Sequence, residues 1–204
     1  MKKNIYIIRH GETEYNRLQI MQGRSIDMSL NETGTTQANA FHEQYKSIPF
    51  ELVYTSELKR SRESVKNFIT ATTHVIDDRI TEISWGANEG KPIDNKVTQR
   101  FKRMMQEWSN GNLEHSIPGG ESGKSLRDRL QSFIKDLSTR KEKHILVCTH
   151  GRALKMLITL LLNEDISEME KYKHANTGLY LMEYSDNQFK LKKANDTSHL
   201  KSTL

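Results

Sequence analysis

The chain has 204 residues, among them 31 lysines and arginines, 26 aspartates and glutamates and a single cysteine, Cys148, and its net charge is +5. This length predicts one globular domain spanning residues 1–204. The charges are scattered, without the basic run interleaved with aromatic residues that nucleic-acid binding needs, and one cysteine excludes an intramolecular disulfide and a cysteine-based zinc site.

Apolar stretches that could direct the chain to a membrane are too short. The first apolar run starts at Ile5 and is ended by Arg9, which is too early for a signal-peptide core. The run at 153–162 contains Lys155 and falls short of a membrane span. We therefore expect a cytoplasmic protein with neither a membrane nor a nucleic-acid partner.

Apolar runs and helical periodicities alternate along the chain. A continuous apolar run such as 5–8 is typical of a strand buried on both faces, whereas apolar residues every three or four positions indicate a helix. The predicted strands are 5–8, 50–56, 74–80 and 144–149, and the predicted helices lie within 30–48, with Asn31 as N-cap, 57–71, 122–137 and 152–163.

The C-terminal part and one insertion complete the prediction. Residues 178–194 indicate two antiparallel strands about an Asp186-Asn187 turn at the sheet edge, and the tail at about 195–204 is polar and expected to be mobile. The segment at about 86–121 is interpreted as a small cap over a site. The fold class is therefore α/β, a three-layer sandwich with a mostly parallel central sheet, an antiparallel edge strand and a small cap insertion.

The dipeptide His-Gly occurs twice, as His10-Gly11 and as His150-Gly151, each time after an apolar strand and before a helical segment. Residues at the carboxyl ends of parallel strands line the ligand crevice of an open α/β sheet, and helix N-termini direct N–H groups toward it. We therefore expect His10 and His150 to meet across this crevice. A glycine after each histidine would let the backbone approach an anion closely.

Two arginines are expected at the same place. Arg9 precedes His10, and Arg60 lies on the first turn of the helix that follows the second strand, although the run 59–62 could equally be a solvated helix face. So much positive charge at one crevice is unfavourable unless an anion neutralises it. Phosphate is the anion whose geometry best fits forked guanidinium groups.

Several segments resemble, in matching order, a known family. The stretch RHGET at 9–13, followed by Asn16, is similar to the signature of the histidine phosphatase superfamily, which contains cofactor-dependent phosphoglycerate mutase and many phosphatases. The resemblance covers roughly residues 3–192. The further matching segments are QGRSIDMSLNETG with Gln22, Gly23, Asp27, Leu30 and Gly34, SELKRSRES with Arg60, ITEISWGANEG with Glu82, PGGES with residues 119–122, and CTHGR with His150.

This resemblance implies an enzyme that transfers the phosphoryl group of a phosphomonoester through histidine and needs no metal and no cofactor. His10 would attack phosphorus and carry a phosphohistidine, and Glu82 would give a proton to the leaving group. Neutral imidazole is a good nucleophile near pH 7, and the transferred group needs fixed positive charge. The implied ligands of the phosphoryl oxygens are Arg9, Arg60 and His150, and the further substrate-binding residues are Asn16, Gln22, Gly23 and Gly151.

Each of these residues also has an ordinary structural interpretation. His10 and His150 could be polar caps at strand ends, but the motif around each favours catalysis. Glu82 could be a solvated carboxylate, with Glu89 as the competing acid. Ser122 could be only a helix N-cap. The other histidines are assigned to the surface or the core: His42, His74, His115, His144, His174 and His199.

Two departures from the family pattern bear on the reaction. The segment between the acid and PGGES is short compared with the mutases of this family, as the resemblance implies. Arg152 stands where many relatives have a smaller residue, and we expect it to point toward the pocket. The short segment nevertheless offers four basic residues that could bind a substrate carboxylate: Lys96, Arg100, Lys102 and Arg103.

These departures favour hydrolysis of a small phosphorylated metabolite. The alternative is transfer of the phosphoryl group as in a phosphoglycerate mutase, and a second alternative is a phosphate-binding module without catalysis. A binding module would not need Glu82, which disfavours the last hypothesis. The sequence leaves the natural substrate open, and also the oligomeric state, with a homodimer among the arrangements considered.

Overall fold

The computed structural model describes residues 2–201 and shows a six-stranded sheet among them. The strands are β1 (Lys3–Arg9), β2 (Leu52–Thr55), β3 (Thr73–Ile76), β4 (His144–Thr149), β5 (Leu179–Ser185) and β6 (Gln188–Asp196). Their order is β3-β2-β4-β1-β5-β6; the first four are mutually parallel, β5 is antiparallel to β1, and β6 is antiparallel to β5. The predicted α/β class and mostly parallel sheet are confirmed.

Helices cover both faces of the sheet. Among the described residues they are α1 (Glu14–Arg17), α2 (Glu32–Tyr45), α3 (Lys59–Ser64), α4 (Lys66–Ile69), α5 (Asn95–Ser109), α6 (Gly123–Thr139) and α7 (Gly151–Leu161). Apolar residues of α5, α6 and α7 pack on one face, and those of α2 and α4 pack on the other. No helix within residues 2–201 has the length and apolar character needed to cross a membrane.

Strand β1 explains why both faces are covered. Ile5 and Ile7 point into one apolar cluster, and Tyr6 and Ile8 point into the other, because successive side chains of a strand alternate. All four are at most 6% exposed. The continuous apolar run thus supplies two cores, and the three-layer arrangement follows from it.

Two of the predicted helix starts have side-chain caps. Asn31 accepts a hydrogen bond from the Gly34 N–H at 2.8 Å and begins α2, and Ser122 accepts one from the Ser125 N–H at 3.2 Å and begins α6. Each cap satisfies a backbone donor that the helix itself leaves free.

The helix expected over 57–71 is instead two short helices, α3 and α4, joined at Val65. Ser64 donates its hydroxyl to the Arg60 carbonyl at 2.6 Å, a side-chain bond to the preceding turn that bends helices. The same hydroxyl accepts the Gly11 N–H at 2.8 Å. The break therefore ties the arginine-bearing segment to the turn after β1.

The C-terminal hairpin is confirmed, and its end differs from the prediction. Asp186 and Asn187 form the turn, both at positive φ, as tight hairpin turns require. Asn195 and Asp196 complete β6, and a 3-10 turn follows with His199 buried, so the expected mobile tail does not begin at 195. The rest of the predicted tail, 202–204, lies outside the described residues.

The predicted cap region contains α5, which lies against the body of the domain. Val97, Met104 and Trp108 are its buried residues. Its Phe101 and the neighbouring Ile93 line a cavity at the carboxyl ends of the strands. This segment therefore forms one wall of the crevice into which both predicted strand-end motifs lead.

Candidate active site

The two His-Gly motifs meet at the carboxyl ends of β1 and β4. Arg9 pairs with Thr149 in the parallel register, so the residues that follow, His10 and His150, leave the sheet side by side. The His10 N–H donates to the Thr149 carbonyl at 3.0 Å, and the two imidazole ring centroids are 5.2 Å apart. The sequence prediction that these histidines converge is borne out geometrically.

A cavity of about 210 Å³ opens beside His10. Six of the predicted site residues line it, whereas Arg60, His150 and Gly23 do not. The cavity wall comprises Arg9, His10, Asn16, Ile20, Met21, Gln22, Glu82, Trp85, Ile93, Phe101, Gly151, Arg152 and His174.

His10 has one ring nitrogen fixed and one available. Its Nδ1 lies 2.7 Å from the Gly11 carbonyl, and since a carbonyl only accepts, Nδ1 carries the proton. Burial, reinforced by the charges of Arg60 and Arg9, holds the pKa of His10 well below its usual range. The ring is therefore neutral near pH 7, with its lone pair on Nε2.

Arg60 and His150 lie directly behind the cavity wall, both with 0% exposure. Arg60 donates Nε to His150 Nδ1 at 3.2 Å, and its two terminal nitrogens donate to the carbonyls of Gly23, at 3.1 Å, and Ile26. Because His150 Nδ1 accepts, its Nε2 carries the proton and donates to the Ser56 hydroxyl at 2.8 Å. Both ring nitrogens of His150 are thus engaged.

Charge and burial act together on this pair. Burial lowers the pKa of Arg60 to about 10, so the guanidinium still carries its charge at neutral pH. Burial and then that charge hold the pKa of His150 well below its usual range. Arg60 therefore acts on both histidines through its field, and it connects the Gly23 loop to His150.

Arg9 and His174 form a second polar pair on the cavity wall. Arg9 Nη1 donates to His174 Nδ1 at 3.1 Å and to the His174 carbonyl at 2.9 Å, while its Nε is buried without a partner among the described residues. Burial, followed by the charge of Arg9, lowers the pKa of His174 to about 4. His174 is thus a neutral ring whose Nε2 carries a proton.

Glu82 is 6% exposed and lies against the N-terminus of α7. Its Oε1 accepts from the N–H groups of Ile83 and Ala153, both at 3.0 Å, and its Oε2 accepts from the Arg152 N–H at 3.1 Å. These bonds tie the Glu82 carboxyl group to the first turn of α7. Glu82 therefore anchors α7, and its side chain also lines the cavity beside His10.

Glu89, the competing acid, is bound elsewhere and does not line the cavity. Its Oε1 accepts from the Trp85 N–H at 2.8 Å, and its Oε2 accepts from the N–H of Ser25 at 3.0 Å and from the Ser25 hydroxyl. A Cβ added at Gly23 would lie 2.2 Å from Glu89 Oε1. Glu89 therefore holds the loop around Gly23 in place.

The predicted substrate-binding residues Asn16 and Gln22 are held by Thr13. Asn16 Oδ1 accepts from the Thr13 N–H at 3.2 Å, which leaves its amide nitrogen for the cavity. Gln22 Nε2 donates to the Thr13 hydroxyl at 3.0 Å, and Gln22 Oε1 is buried without a partner among the described residues. Turning this amide over would let the Thr13 hydroxyl donate to Oε1.

The sequence did not predict the remaining residues of the cavity wall, which are His174 and the apolar residues. The sequence places His174 at the surface or in the core, yet it lies just before β5. Because β5 is antiparallel to β1, the start of β5 lies at the carboxyl end of β1. The position of the predicted hairpin could have revealed this. The apolar wall has no sequence signal of its own, and none of the four basic residues on α5 lines the cavity: Lys96, Arg100, Lys102 and Arg103.

The described residues hold no metal-binding constellation and no exposed thiol. Across residues 2–201 no group of three or more His, Cys, Asp or Glu side chains is placed to hold a metal ion. Cys148 is buried in β4, and burial raises the pKa of its thiol to about 12.

The sequence and the fold of the chain are similar to those of several known proteins. "Putative phosphoserine phosphatase 2" of Hydrogenobacter thermophilus is 26% identical over 179 residues, covering 87% of each chain. "Probable phosphoglycerate mutase GpmB" of Yersinia pestis is 28% identical over 204 residues, covering 96% of this chain and 94% of that protein. A solved phosphoserine phosphatase of Entamoeba histolytica, in complex with 3-phosphoglyceric acid, has a TM-score of 0.83 and 26% identity, covering 97% of this chain and 99% of that chain. The family model described as the histidine phosphatase superfamily (branch 1) matches residues 5–197, and the chain belongs to that superfamily.

Proposed function

We propose that this protein is a metal-independent phosphatase that hydrolyses a small phosphorylated metabolite through a phosphohistidine on His10. The observation that carries the proposal is the state of that ring: it is neutral, its Nδ1 proton is fixed on the Gly11 carbonyl, and its Nε2 lone pair is available at a cavity that Arg9 also lines. An imidazole oriented by its other nitrogen is the arrangement that nucleophilic catalysis needs.

In the first step, Nε2 of His10 attacks phosphorus. The N–P bond forms while the bond between phosphorus and the leaving oxygen breaks, and a proton from the Glu82 carboxyl group neutralises the leaving alkoxide. Arg9 supplies fixed positive charge and His174 supplies an Nε2–H donor at the same wall. Phosphoryl transfer depends mainly on such positioned charge.

In the second step, water attacks the phosphohistidine. The N–P bond breaks, Glu82 takes a proton from the water, and inorganic phosphate leaves, so that His10 returns to its neutral form and Glu82 to its protonated form. In this proposal Arg60 and His150 contribute from behind the wall: Arg60 holds His150, and its charge keeps both imidazoles neutral.

Transfer to a bound acid, as in a phosphoglycerate mutase, is the second candidate, and the relative of Yersinia pestis bears that name. Such transfer needs the phosphohistidine to be shielded from water and the acid to be held in place. The basic residues of α5 that could hold an acid do not line the cavity. Arg152 does line it, so the choice between the two reactions rests on access of water, and the opening of the cavity beside His10 favours hydrolysis. The names phosphoserine phosphatase and phosphoglycerate mutase guide the choice of substrates to screen.

Two assays run on the same preparation test the proposal. Phosphate release is measured over a panel of phosphomonoesters, with and without a metal chelator, and conversion of 3-phosphoglycerate to 2-phosphoglycerate is followed in a coupled mutase assay. We expect phosphate release that survives the chelator and exceeds the mutase rate. Mutase turnover faster than phosphate release would reverse the assignment, and loss of activity in the chelator would refute metal independence.

The same proposal includes a cytoplasmic location and a small-molecule partner. The single buried thiol fits a protein that depends on no disulfide. Fractionation of the producing cells, followed by immunodetection, tests the location directly.

A further inference from the structure

Arg152 is the cation on the leaving-group side of the cavity. Its backbone N–H donates to Glu82 Oε2 at 3.1 Å, which places this residue next to the proposed proton donor. Its side chain lines the cavity, although the residue is only 6% exposed. The guanidinium carbon lies 5.1 Å from the ring centroid of Phe101 and 5.9 Å from that of Trp85, so that two aromatic rings fix its orientation.

The charge of Arg152 is only partly compensated. Its Nη1 pairs with the Glu170 carboxylate, but the same carboxylate accepts from Lys155 Nζ at 2.8 Å, so two cations share one anion. The Glu170 side chain is also 47% exposed, which weakens its hold on either partner. Arg152 therefore brings positive charge to this end of the cavity.

A donor of Arg152 is also unsatisfied. Its Nε is buried and has no hydrogen-bond partner among the described residues. A buried guanidinium nitrogen without an acceptor is unfavourable, and the energy is recovered only when an acceptor arrives. Because Nε is shielded from solvent in this arrangement, an anionic ligand in the cavity can supply that acceptor only when the guanidinium group turns toward it.

We infer that Arg152 is a specificity-determining residue that binds a second anionic group of the substrate, on the part that leaves with the alcohol oxygen. This inference rests on the proposed phosphatase activity and names its substrate class: small phosphomonoesters that also carry a carboxylate or a second phosphate. Both groups present the paired oxygens that a guanidinium edge recognises. The cavity of about 210 Å³ keeps such a substrate small.

Matched substrate pairs test the inference on the wild-type protein. The pair 3-phosphoglycerate and glycerol 3-phosphate differs by a carboxylate in place of a hydroxymethyl group, and the pair fructose 1,6-bisphosphate and fructose 6-phosphate differs by the second phosphate. We expect kcat/KM to be at least ~10-fold higher for the anion-bearing member of one pair, the size of one charge-assisted hydrogen bond. The pair that shows it identifies the group. Ratios near one in both pairs overturn the inference.

Three variants then ask whether Arg152 is the cause. In Arg152→Gln the preference falls to within ~3-fold of one, chiefly through KM, and in Arg152→Lys it returns in part because the charge is restored. The control is Arg127→Gln on the surface of α6, where the arginine pairs with Asp128, and it keeps the wild-type ratio. A preference that survives Arg152→Gln contradicts the inference.

Two further measurements distinguish failure of this inference from misfolding of a variant and from absence of catalysis. Thermal unfolding of each variant shows whether it folds. If Arg152→Gln does not, Arg152→Lys, which keeps the charge and loses the planar fork, must still lower the preference, and an unchanged preference contradicts the inference. Failure of the proposed function would appear as no turnover of p-nitrophenyl phosphate by any protein. In that case, calorimetric titration of 3-phosphoglycerate and of glycerol 3-phosphate into the wild-type protein measures the same preference as a ratio of Kd values. Equal Kd values then overturn the inference without reference to catalysis.

Discussion

The two His-Gly corners begin from the same dipeptide at the ends of neighbouring strands and reach different states. At the first, His10 has one bonded nitrogen and faces the cavity, and the short α1 begins only at Glu14. At the second, both nitrogens of His150 are bonded, and α7 begins at once with Gly151. One corner therefore presents a reactive group, and the other builds the support behind it.

The glycines of the two corners differ for a related reason. A Cβ added at Gly11 would lie 2.7 Å from the Gly34 carbonyl oxygen, a backbone atom that cannot yield, so the absence of a side chain is a packing requirement. A Cβ added at Gly151 would make ordinary contacts, at 3.5 Å with His174 Nδ1 and at 3.6 Å with Glu82 Oε2. The first glycine admits a neighbouring segment, and the second keeps open the space between two site residues.

The largest expected effect is the loss of activity when His10 is replaced, and comparison with His150 distinguishes the roles of the two corners. His10→Ala should lose at least ~10³-fold in kcat, because His174, the other imidazole on the cavity wall, has its Nδ1 lone pair bonded to Arg9 and carries its proton on Nε2. His150→Gln removes a positioning group and should lose less. Steady-state kinetics on one good substrate gives both numbers.

Covalent trapping distinguishes the two roles independently of rate. Protein quenched during turnover of a labelled phosphomonoester should retain label under alkaline conditions and lose it in acid, because phosphohistidine is acid-labile. The His150→Gln protein should still form this species, whereas His10→Ala should not. Label retained by His10→Ala, or kcat within tenfold of wild type, would mean that another residue is the nucleophile.

Glu82 is expected to give the next largest effect. Glu82→Gln keeps the size of the side chain and can keep both bonds to Oε1, but it removes the transferable proton and sets an amide N–H₂ against the Arg152 N–H. For an alkyl phosphate we expect a loss of ~10²- to 10⁴-fold, the range for a positioned general acid. For p-nitrophenyl phosphate, whose leaving group needs no proton, the first step should be much less affected.

Single-turnover bursts and a matched acid make this test specific. If Glu82 only anchors α7, Glu82→Gln lowers the burst rate equally for both substrates. Glu89→Gln is the control, since Glu89 binds Trp85 and Ser25 away from the cavity, and it should leave the ratio of aryl to alkyl rates unchanged. A changed ratio in Glu89→Gln, with none in Glu82→Gln, would transfer the role to Glu89.

Arg60 and Arg62 test the support behind the second corner. Lysine cannot reproduce the three donors with which Arg60 contacts His150, Gly23 and Ile26, so Arg60→Lys should lower kcat/KM by ~10²-fold. Arg62→Lys, on the same short helix but outside the cavity wall, should be nearly silent. Equal losses would indicate a general effect of α3 on stability, which thermal unfolding of both variants would reveal.

The sequence predicted the parts of the fold that rest on local pattern. The run Ile5–Ile8 predicted a strand buried on both faces, Asn31 and Ser122 marked helix starts, and the Asp186-Asn187 turn marked the hairpin. Each of these signals depends on neighbouring residues. The helix break at Val65 was missed because it depends on Ser64 contacting Gly11, a partner 53 positions away.

The same limit applies to the site. The motifs located His10 and His150 and predicted that they converge, but not that His150 and Arg60 are fully buried while His174 lines the cavity. Whether a side chain is buried behind the cavity wall depends on how the loops pack. The loop around Gly23, which covers Arg60, has no periodic pattern of apolar residues that would predict its position. The apolar wall likewise combines residues from separate segments, so no single stretch announces it.

The smallest expected effect is the pH dependence of the free energy of unfolding. It depends on a property that the two corners share, the lowered pKa of their histidines. Burial, aided by nearby arginine charge, holds the pKa of His10 and of His150 well below the usual range and lowers that of His174 to about 4. In the unfolded chain these rings return to an ordinary pKa near ~6.5. Below that pH the unfolded state binds protons that the folded state does not, so the free energy of unfolding is largest above pH ~6.5 and falls as the solution is acidified.

Each such histidine contributes a slope of at most ~1.4 kcal/mol per pH unit between its folded and unfolded pKa values. Urea unfolding at several values between pH 7.5 and pH 5.0 measures the slope, and His10→Ala, His150→Gln and His174→Asn should each flatten it by a similar amount. Comparing slopes removes whatever pH-independent stability each substitution changes. If only His10→Ala flattened the curve, His150 would titrate normally in the folded state. Its bonds to Arg60 and Ser56 would then have to open without unfolding, which the buried position of the second corner does not allow.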